Sequence, residues 1–317
     1  MHRSVLHDAL GVLRRVMRPE IVGERGFRLR KRAGILYRDL AYRSRMARLQ
    51  LLPGPSLPAV ENPALIVSVT SFPARIENAW ITIETIFRQR LKPDRIVLVL
   101  SEEEFADRKL PERIERQRAR GLEILWSPGN MRSFKKLLPV RERYPEAVIV
   151  VVDDDVLYEP WILPQLVAAH RRNPGAIIGH RGRVPRLEQG RLAPYATWPM
   201  ANRETPHDRV LLTGAGGILF PPHVLPDAEL LDYETARQLC PHADDVWFWA
   251  IALKAGVPRI CLNDFGFISV RRQAGSPSLF ARNRLPEGND AQIDRTLRAF
   301  GIDPDQLPGI EAPARAK

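Results

Sequence analysis

The chain has 317 residues, 44% of them hydrophobic and 27% charged, which suits a soluble globular protein with one large core and room for an appendage. Two cysteines, Cys240 and Cys261, exclude a disulfide framework and a C-x-x-C zinc knuckle, and point to a reducing, cytoplasmic setting. The net charge of +11 does not argue for nucleic acid, because residues 1–58 hold 13 Arg/Lys against 4 Asp/Glu while the rest of the chain holds 35 against 33.

The basic arm comes first. Leu6, Leu10, Leu13 and Met17 recur at helical spacing, with Arg3, Arg14, Arg15 and Arg18 mostly on other faces. A second basic segment, Arg28 to Arg48, carries Ile35, Leu36, Leu40 and Met46 among its arginines. Helices of this kind either lie peripherally on an anionic membrane surface, here through residues 1–50, or pack on a domain or a partner. An Arg-rich, acid-poor presequence is a third reading, weakened by scarce serine. Leu52-Pro-Gly-Pro-Ser-Leu-Pro58 reads as a linker, since its prolines stop periodic structure. No apolar run is long enough to cross a bilayer.

From residue 59 the pattern alternates. Apolar runs at Ala64–Val69, Arg95–Leu100, Leu122–Trp126 and Ala147–Val152 predict buried strands separated by helix-length segments. That alternation predicts an α/β fold, a mainly parallel sheet with helices on both faces. Ligands then collect beyond the carboxyl ends of the strands. Further on, Ile177-Ile178-Gly179 and Arg209–Leu212 predict short strands, and Gly214-Ala-Gly-Gly217 a loop before the run Ile218-Leu-Phe220. Asp244 to Ala255 predicts a helix ended by Gly256. The organisation expected is an arm and linker over 1–58, a main domain over 59–305 and a tail over 306–317, frayed from Glu311 onward.

The chemistry centres on one strand end. Val148-Ile-Val-Val-Val152 runs into Asp153-Asp154-Asp155, and three adjacent carboxylates repel unless a cation or many donors face them. Mg²⁺ or Mn²⁺ prefers a few carboxylate oxygens together with substrate phosphates, which makes Asp153 and Asp155 candidate metal ligands. The plainer alternative is that one aspartate caps the next helix and the others are solvated. Lys135 and Lys136, in Ser133-Phe-Lys-Lys136, and Arg75, after Ser71-Phe-Pro73, are candidate phosphate partners or ordinary surface cations. Trp198, Trp247 and Trp249 suit either sugar stacking or the core. His180 and His242 are too scattered for a metal site, and Arg271-Arg272 is a phosphate reader or a surface pair.

Val148–Tyr158 resembles the D-x-D segment of GT-A fold glycosyltransferases, and more specifically of family-2-like members, over about residues 62–270. The resemblance implies a Rossmann-like domain that moves a sugar from a nucleotide-diphosphate sugar to a hydroxyl of a glycan or lipid-linked acceptor, with Mn²⁺ or Mg²⁺ as cofactor. It implies that Thr70 and Ser71 cradle the nucleotide, that Asp153 and Asp154 meet the nucleotide-sugar diphosphate, and that Gly216 and Gly217 line the donor sugar. It also implies that Ala243-Asp244-Asp245-Val246-Trp247 supplies the catalytic base of an inverting reaction. The reaction independently needs a Lewis acid and a base at an oxocarbenium-like centre, with Asp245 first and Asp244 second for the base. The sequence departs from the pattern at Ser101-Glu-Glu-Glu104, where such members often carry a D-x-S turn, and no histidine follows His242. Val150–Val156 also fits the D-x-D-x-V of haloacid-dehalogenase-like phosphatases, with Asp153 as nucleophile and Asp155 as acid/base. In those enzymes the strand usually opens the domain, whereas three strand-helix units precede it here. A non-catalytic membrane or partner module is the other alternative.

Overall fold

The structure is a computed structural model that describes residues 42–263, 267–269 and 288–311. The expectations for the arm up to residue 41, for Arg271-Arg272 and for residues 312–317 lie outside the described residues. The chain divides into two units, Met1–Pro53 and Gly54–Lys317. In the first, residues 42–51 are helical. No helix among the described residues is long and apolar enough to cross a membrane.

The second unit is built on a seven-stranded sheet. Its strands are β1 (Leu65–Thr70), β2 (Arg95–Ser101), β3 (Leu122–Ser127), β4 (Val148–Val152), β5 (Ile177–Gly179), β6 (Ile218–Phe220) and β7 (Arg259–Cys261). They lie in the order β7-β5-β6-β4-β1-β2-β3, and only β6 runs antiparallel to its neighbours. The first four expected strands and the two short runs at 177–179 and 218–220 are therefore strands of this one sheet. Arg209–Leu212 is the exception. Only Leu211–Leu212 is extended, and it pairs with Gly182–Arg183 outside the main sheet, because Arg209 closes a turn back onto the Pro206 carbonyl.

Both faces of the sheet are covered, which is why its strands read as unbroken apolar runs. Ile66, Val97, Val99, Ile149 and Val151 join a core with Phe134, Leu138 and Val140, and with Trp247 and Phe248. The alternate residues Val67, Val69, Ile96, Leu98 and Val150 are buried on the opposite face. Trp198, Trp247 and Trp249 are buried, and Trp198 packs edge-on against Trp249, so these tryptophans are core rather than sugar platforms.

Eight α-helices surround the sheet among the described residues of this unit: α1 (Ile76–Phe87), α2 (Glu112–Arg118), α3 (Leu138–Arg143), α4 (Ile162–Arg172), α5 (Asp227–Leu230), α6 (Tyr233–Leu239), α7 (Asp244–Lys254) and α8 (Asn289–Ala299). The helix expected from Asp244 is α7, and Gly256 follows it with φ +65, where a side chain would be strained. The stretch 52–58 is not a free linker along its whole length. Leu57 is buried and its N–H donates to the Arg120 carbonyl at 2.9 Å, and the Gly54 N–H donates to buried Glu84 of α1. At the other end, Ile310–Glu311 pairs in parallel with Arg186–Leu187, so regular structure reaches Glu311 rather than fraying there.

The strand order decides where ligands fit. From β1 the chain steps outward through β2 and β3, then returns to place β4 on the other side of β1. The switch point therefore lies between β1 and β4, whose ends are aligned through Val69 opposite Val152. The crevice beyond such a point is where open α/β sheets bind ligands. Here it opens between Ser71 and Asp153.

Candidate functional site

Helix α1 fixes the chain that leaves β4. Its Thr82 hydroxyl donates to the Val156 carbonyl at 2.8 Å and accepts from the Val156 N–H at 3.2 Å, while Thr85 Oγ1 accepts from the Tyr158 N–H. These bonds satisfy backbone groups that burial would otherwise leave costly, and they pin the short strand Val156–Tyr158 against α1. The three aspartates are thus held between two anchored segments. None caps the next helix, since α4 begins after Trp161.

The aspartates have different jobs. Asp154 is buried and accepts from the Ser71 hydroxyl and from Arg75 Nη1, both at 2.7 Å. Burial raises its carboxyl above the ordinary value, and Arg75 and Ser71 oppose that rise. Arg75 Nη2 also lies 3.2 Å from Asp155. Ser71, Arg75 and Asp154 therefore form a clamp between the ends of β1 and β4. Asp154, expected at the diphosphate, is engaged by Ser71 and Arg75. Ser71 spends its hydroxyl in the same clamp, and Thr70 donates its own to the Val99 carbonyl at 2.8 Å. Asp153 and Asp155 remain the more open pair, with side chains 32% and 21% exposed.

The turn before α3 delivers the second component. Arg132–Lys136 is a 3-10 helix, and its two lysines diverge. Lys135, expected as a phosphate partner, is buried against Glu104 at 2.7 Å, which gives the Glu102–Glu104 run a structural partner. Lys136 turns to the site instead. Its Nζ lies 3.1 Å from Asp153 Oδ1 and 3.0 Å from Asp244 Oδ2, joining the end of β4 to the start of α7. Burial works against its charge, yet Asp153 and Asp244 outweigh that and hold the ammonium well above the usual lysine value.

The third component is the glycine loop. Gly214–Gly216 is a 3-10 turn, and the Gly214 N–H donates to both carboxylate oxygens of Asp245 at 3.2 Å. A Cβ on Gly214 would sit 2.7 Å from Lys136 Nζ and 3.0 Å from Asp153 Oδ1, so those side-chain ends would have to shift to admit it. Gly216 is confined more firmly, since its Cβ would sit 2.7 Å from the backbone of Arg181, and Gly217 has φ +79. Tyr158 ties the loop to the acidic strand end: its buried hydroxyl accepts from the Asp153 N–H at 3.1 Å and donates to the Ala215 carbonyl at 3.2 Å. Gly214 and Tyr158 were missed in the sequence, although both fall inside motifs it displays. Nothing local distinguishes them from their neighbours.

Asp244 and Asp245 open α7 without capping it, because that helix has no side-chain cap. Burial pushes the Asp245 carboxyl up to about 7, with Asp244 adding like-charge repulsion and Lys136 opposing it. Five carboxylates, Asp153, Asp154, Asp155, Asp244 and Asp245, thus gather around Arg75 and Lys136, an excess of negative charge suited to a cation. No group of three or more His, Cys, Asp or Glu among the described residues is arranged so that it could hold a metal ion. A hard divalent ion at this strand end would have to take one or two carboxylates and complete its shell from phosphate and water. His180 is buried and His242 lies against Arg132, so neither joins the site.

No protein-family model and no curated protein matches the sequence. Among solved structures, the chain is similar to the mannosyltransferase PcManGT from Pyrobaculum calidifontis in complex with GDP-Man and Mn²⁺, at 15% identity over 85% of this chain and 74% of that one, with TM-score 0.44. It is similar to 4-diphosphocytidyl-2C-methyl-D-erythritol synthase at 14% identity, 68% and 96% coverage and TM-score 0.38. S. aureus TarS 1–349 follows at 13% identity, 65% and 60% coverage and TM-score 0.40.

Proposed function

We propose that this protein is a metal-dependent glycosyltransferase that moves a sugar from a nucleotide-diphosphate sugar to an acceptor hydroxyl. The observation that carries the reading is the Lys136 bridge. It joins Asp153 at the topological switch point to Asp244 beside Asp245, directly under Gly214. A diphosphate site and a base site thereby share one crevice.

In this reading Asp153 and Asp155 are the residues that would hold the cation. When bound, Mn²⁺ or Mg²⁺ supplies a Lewis acid for the leaving group. Arg75 keeps Asp154 and Asp155 in place, and Lys136 keeps Asp153 and Asp244 from repelling. Asp245, oriented by the Gly214 N–H, takes the proton of the acceptor hydroxyl as its oxygen bonds to the anomeric carbon and the bond to the diphosphate breaks. One displacement of this kind inverts the anomeric configuration.

The test is a panel of UDP-, GDP- and ADP-sugars with Mn²⁺, read as release of nucleoside diphosphate, beside p-nitrophenyl phosphate. Release from at least one nucleotide sugar, abolished by chelation, is expected. Hydrolysis of p-nitrophenyl phosphate with no donor consumed would replace the reading with the phosphatase one.

A further inference from the structure

Two arginines beside the glycine loop that holds Asp245, Arg181 and Arg183, have no carboxylate partner among the described residues. Arg181 immediately precedes the short strand Gly182–Arg183, so the two arginines flank Gly182. Arg181 Nη1 donates to Thr213 Oγ1 at 2.7 Å, and Thr213 directly precedes Gly214, the residue that holds Asp245. Arg183 Nη1 donates to the Trp198 carbonyl at 2.5 Å, and its guanidinium lies 5.2 Å from the centre of the Tyr195 ring. Tyr195 is itself fixed, since its N–H donates to Asp290 at 2.6 Å. Its hydroxyl is raised above the ordinary value by burial first and by Asp245 second, with Arg183 and Arg181 pulling the other way, so these four side chains share one neighbourhood.

The other cations of the site are all matched. Arg75 faces Asp154 and Asp155, Lys135 faces Glu104, and Lys136 faces Asp153 and Asp244. Among the described residues neither Arg181 nor Arg183 forms an ion pair with a carboxylate, and Arg183 Nε is buried without a hydrogen-bond partner. A half-buried guanidinium is a bidentate fork for carboxylate or phosphate oxygens. Tyr195 and the Trp198 carbonyl hold this one in a set orientation.

We infer that Arg181 and Arg183, with Tyr195, form the acceptor subsite and select an acceptor bearing an anionic group, a carboxylate or a phosphate ester, next to the hydroxyl presented to Asp245. This rests on the reading of Asp245 as the base of glycosyl transfer. Arg183 contacts the anion and Arg181 positions it from the Thr213 side. The acidic half of the crevice, with its cation, is left to the donor.

The experiment measures acceptor-stimulated consumption of the donor by the full chain with Mn²⁺. Acceptors are offered in matched sets: glucose, glucuronate and glucose 1-phosphate, with the galactose and mannose equivalents. In at least one set the anionic member should stimulate consumption about 10- to 100-fold more than the neutral sugar, the range expected for charge-assisted hydrogen bonds. Arg183→Gln should erase that preference, read as the ratio of anionic to neutral acceptor stimulation within the same variant, and Arg183→Lys should retain part of it. If Arg183→Gln unfolds, Tyr195→Phe and Arg183→Lys carry the comparison, and both must lower the preference. A carboxylate-only or phosphate-only response tells the two sources of the anion apart. Equal stimulation by neutral sugars, no stimulation by any anionic member, or an unchanged preference in the variants overturns the inference while donor hydrolysis upholds the proposed function. Absence of donor hydrolysis in the wild type overturns both.

Discussion

Replacing Lys136 with Met removes the one ammonium between two acidic segments and keeps most of the side chain's volume. The Lys136–Asp244 pair is nearly closed to solvent, with side chains 5% and 8% exposed, and breaking a buried pair from one side costs about 3–5 kcal/mol. Asp153 is about a third exposed, so water screens it and the loss of its contact adds little. For a body of this size the deficit corresponds to a fall in Tm of about 6 to 20 °C. The sign with pH follows from the carboxylates left behind. Burial raises the Asp245 carboxyl and Lys136 holds it down, so without Lys136 its folded-state value rises further, the folded state binds protons more readily than the unfolded chain and stability declines as pH rises through the folded value. The deficit should therefore be largest near pH 8 and shrink toward pH 5, measured by circular dichroism melts without metal or nucleotide. Adding Asp244→Asn to Lys136→Met should recover much of the loss, because the buried charge goes with its partner. A Lys136→Met protein that melts within about 1 °C of wild type at pH 8 would refute the claim that this lysine neutralises the site.

Asp245→Asn should lower transfer by about 10²–10⁴ while nucleotide diphosphate binding survives in calorimetry, and product NMR should show inversion; a retained configuration removes the role of Asp245 as base. As a base, Asp245 works deprotonated, so its elevated value of about 7 predicts a rate that falls as pH drops through neutrality, with Asp244→Asn moving that limb to lower pH by removing a like charge. Asp155→Asn should abolish Mn²⁺-dependent nucleotide diphosphate binding without unfolding, and unchanged calorimetric binding would exclude it as a ligand. Gly214→Ala places a methyl 2.7 Å from Lys136 Nζ and should cost about 1–3 kcal/mol along with activity, whereas Gly175→Ala, with nothing within 4 Å, should be neutral in the same melts.

The sequence by itself determined the framework, because the features involved are local. Val148–Val152 had to be a doubly buried strand, since five successive branched apolar residues leave no polar face, and the carboxylates after it had to sit at a strand end. The same reasoning marked the start of α7 and its stop at Gly256. What tertiary structure decided is which charge meets which. Asp153, Asp154 and Asp155 are identical in sequence terms, yet Asp154 is spent on Ser71 and Arg75 while Asp153 faces Lys136. Lys135 and Lys136 are neighbours in the chain, and only the way the 3-10 turn seats on the sheet sends one to Glu104 and the other to Asp153 and Asp244. Gly214 and Tyr158 matter because the glycine loop closes over the end of β4, and the partners of Arg181 come from Thr213 in the same way. Electrostatic partnerships depend on distances of a few ångströms between residues far apart in the chain. A one-dimensional pattern of hydrophobicity and charge carries no such distances, so it located the crevice while the closed sheet and loops set its chemistry.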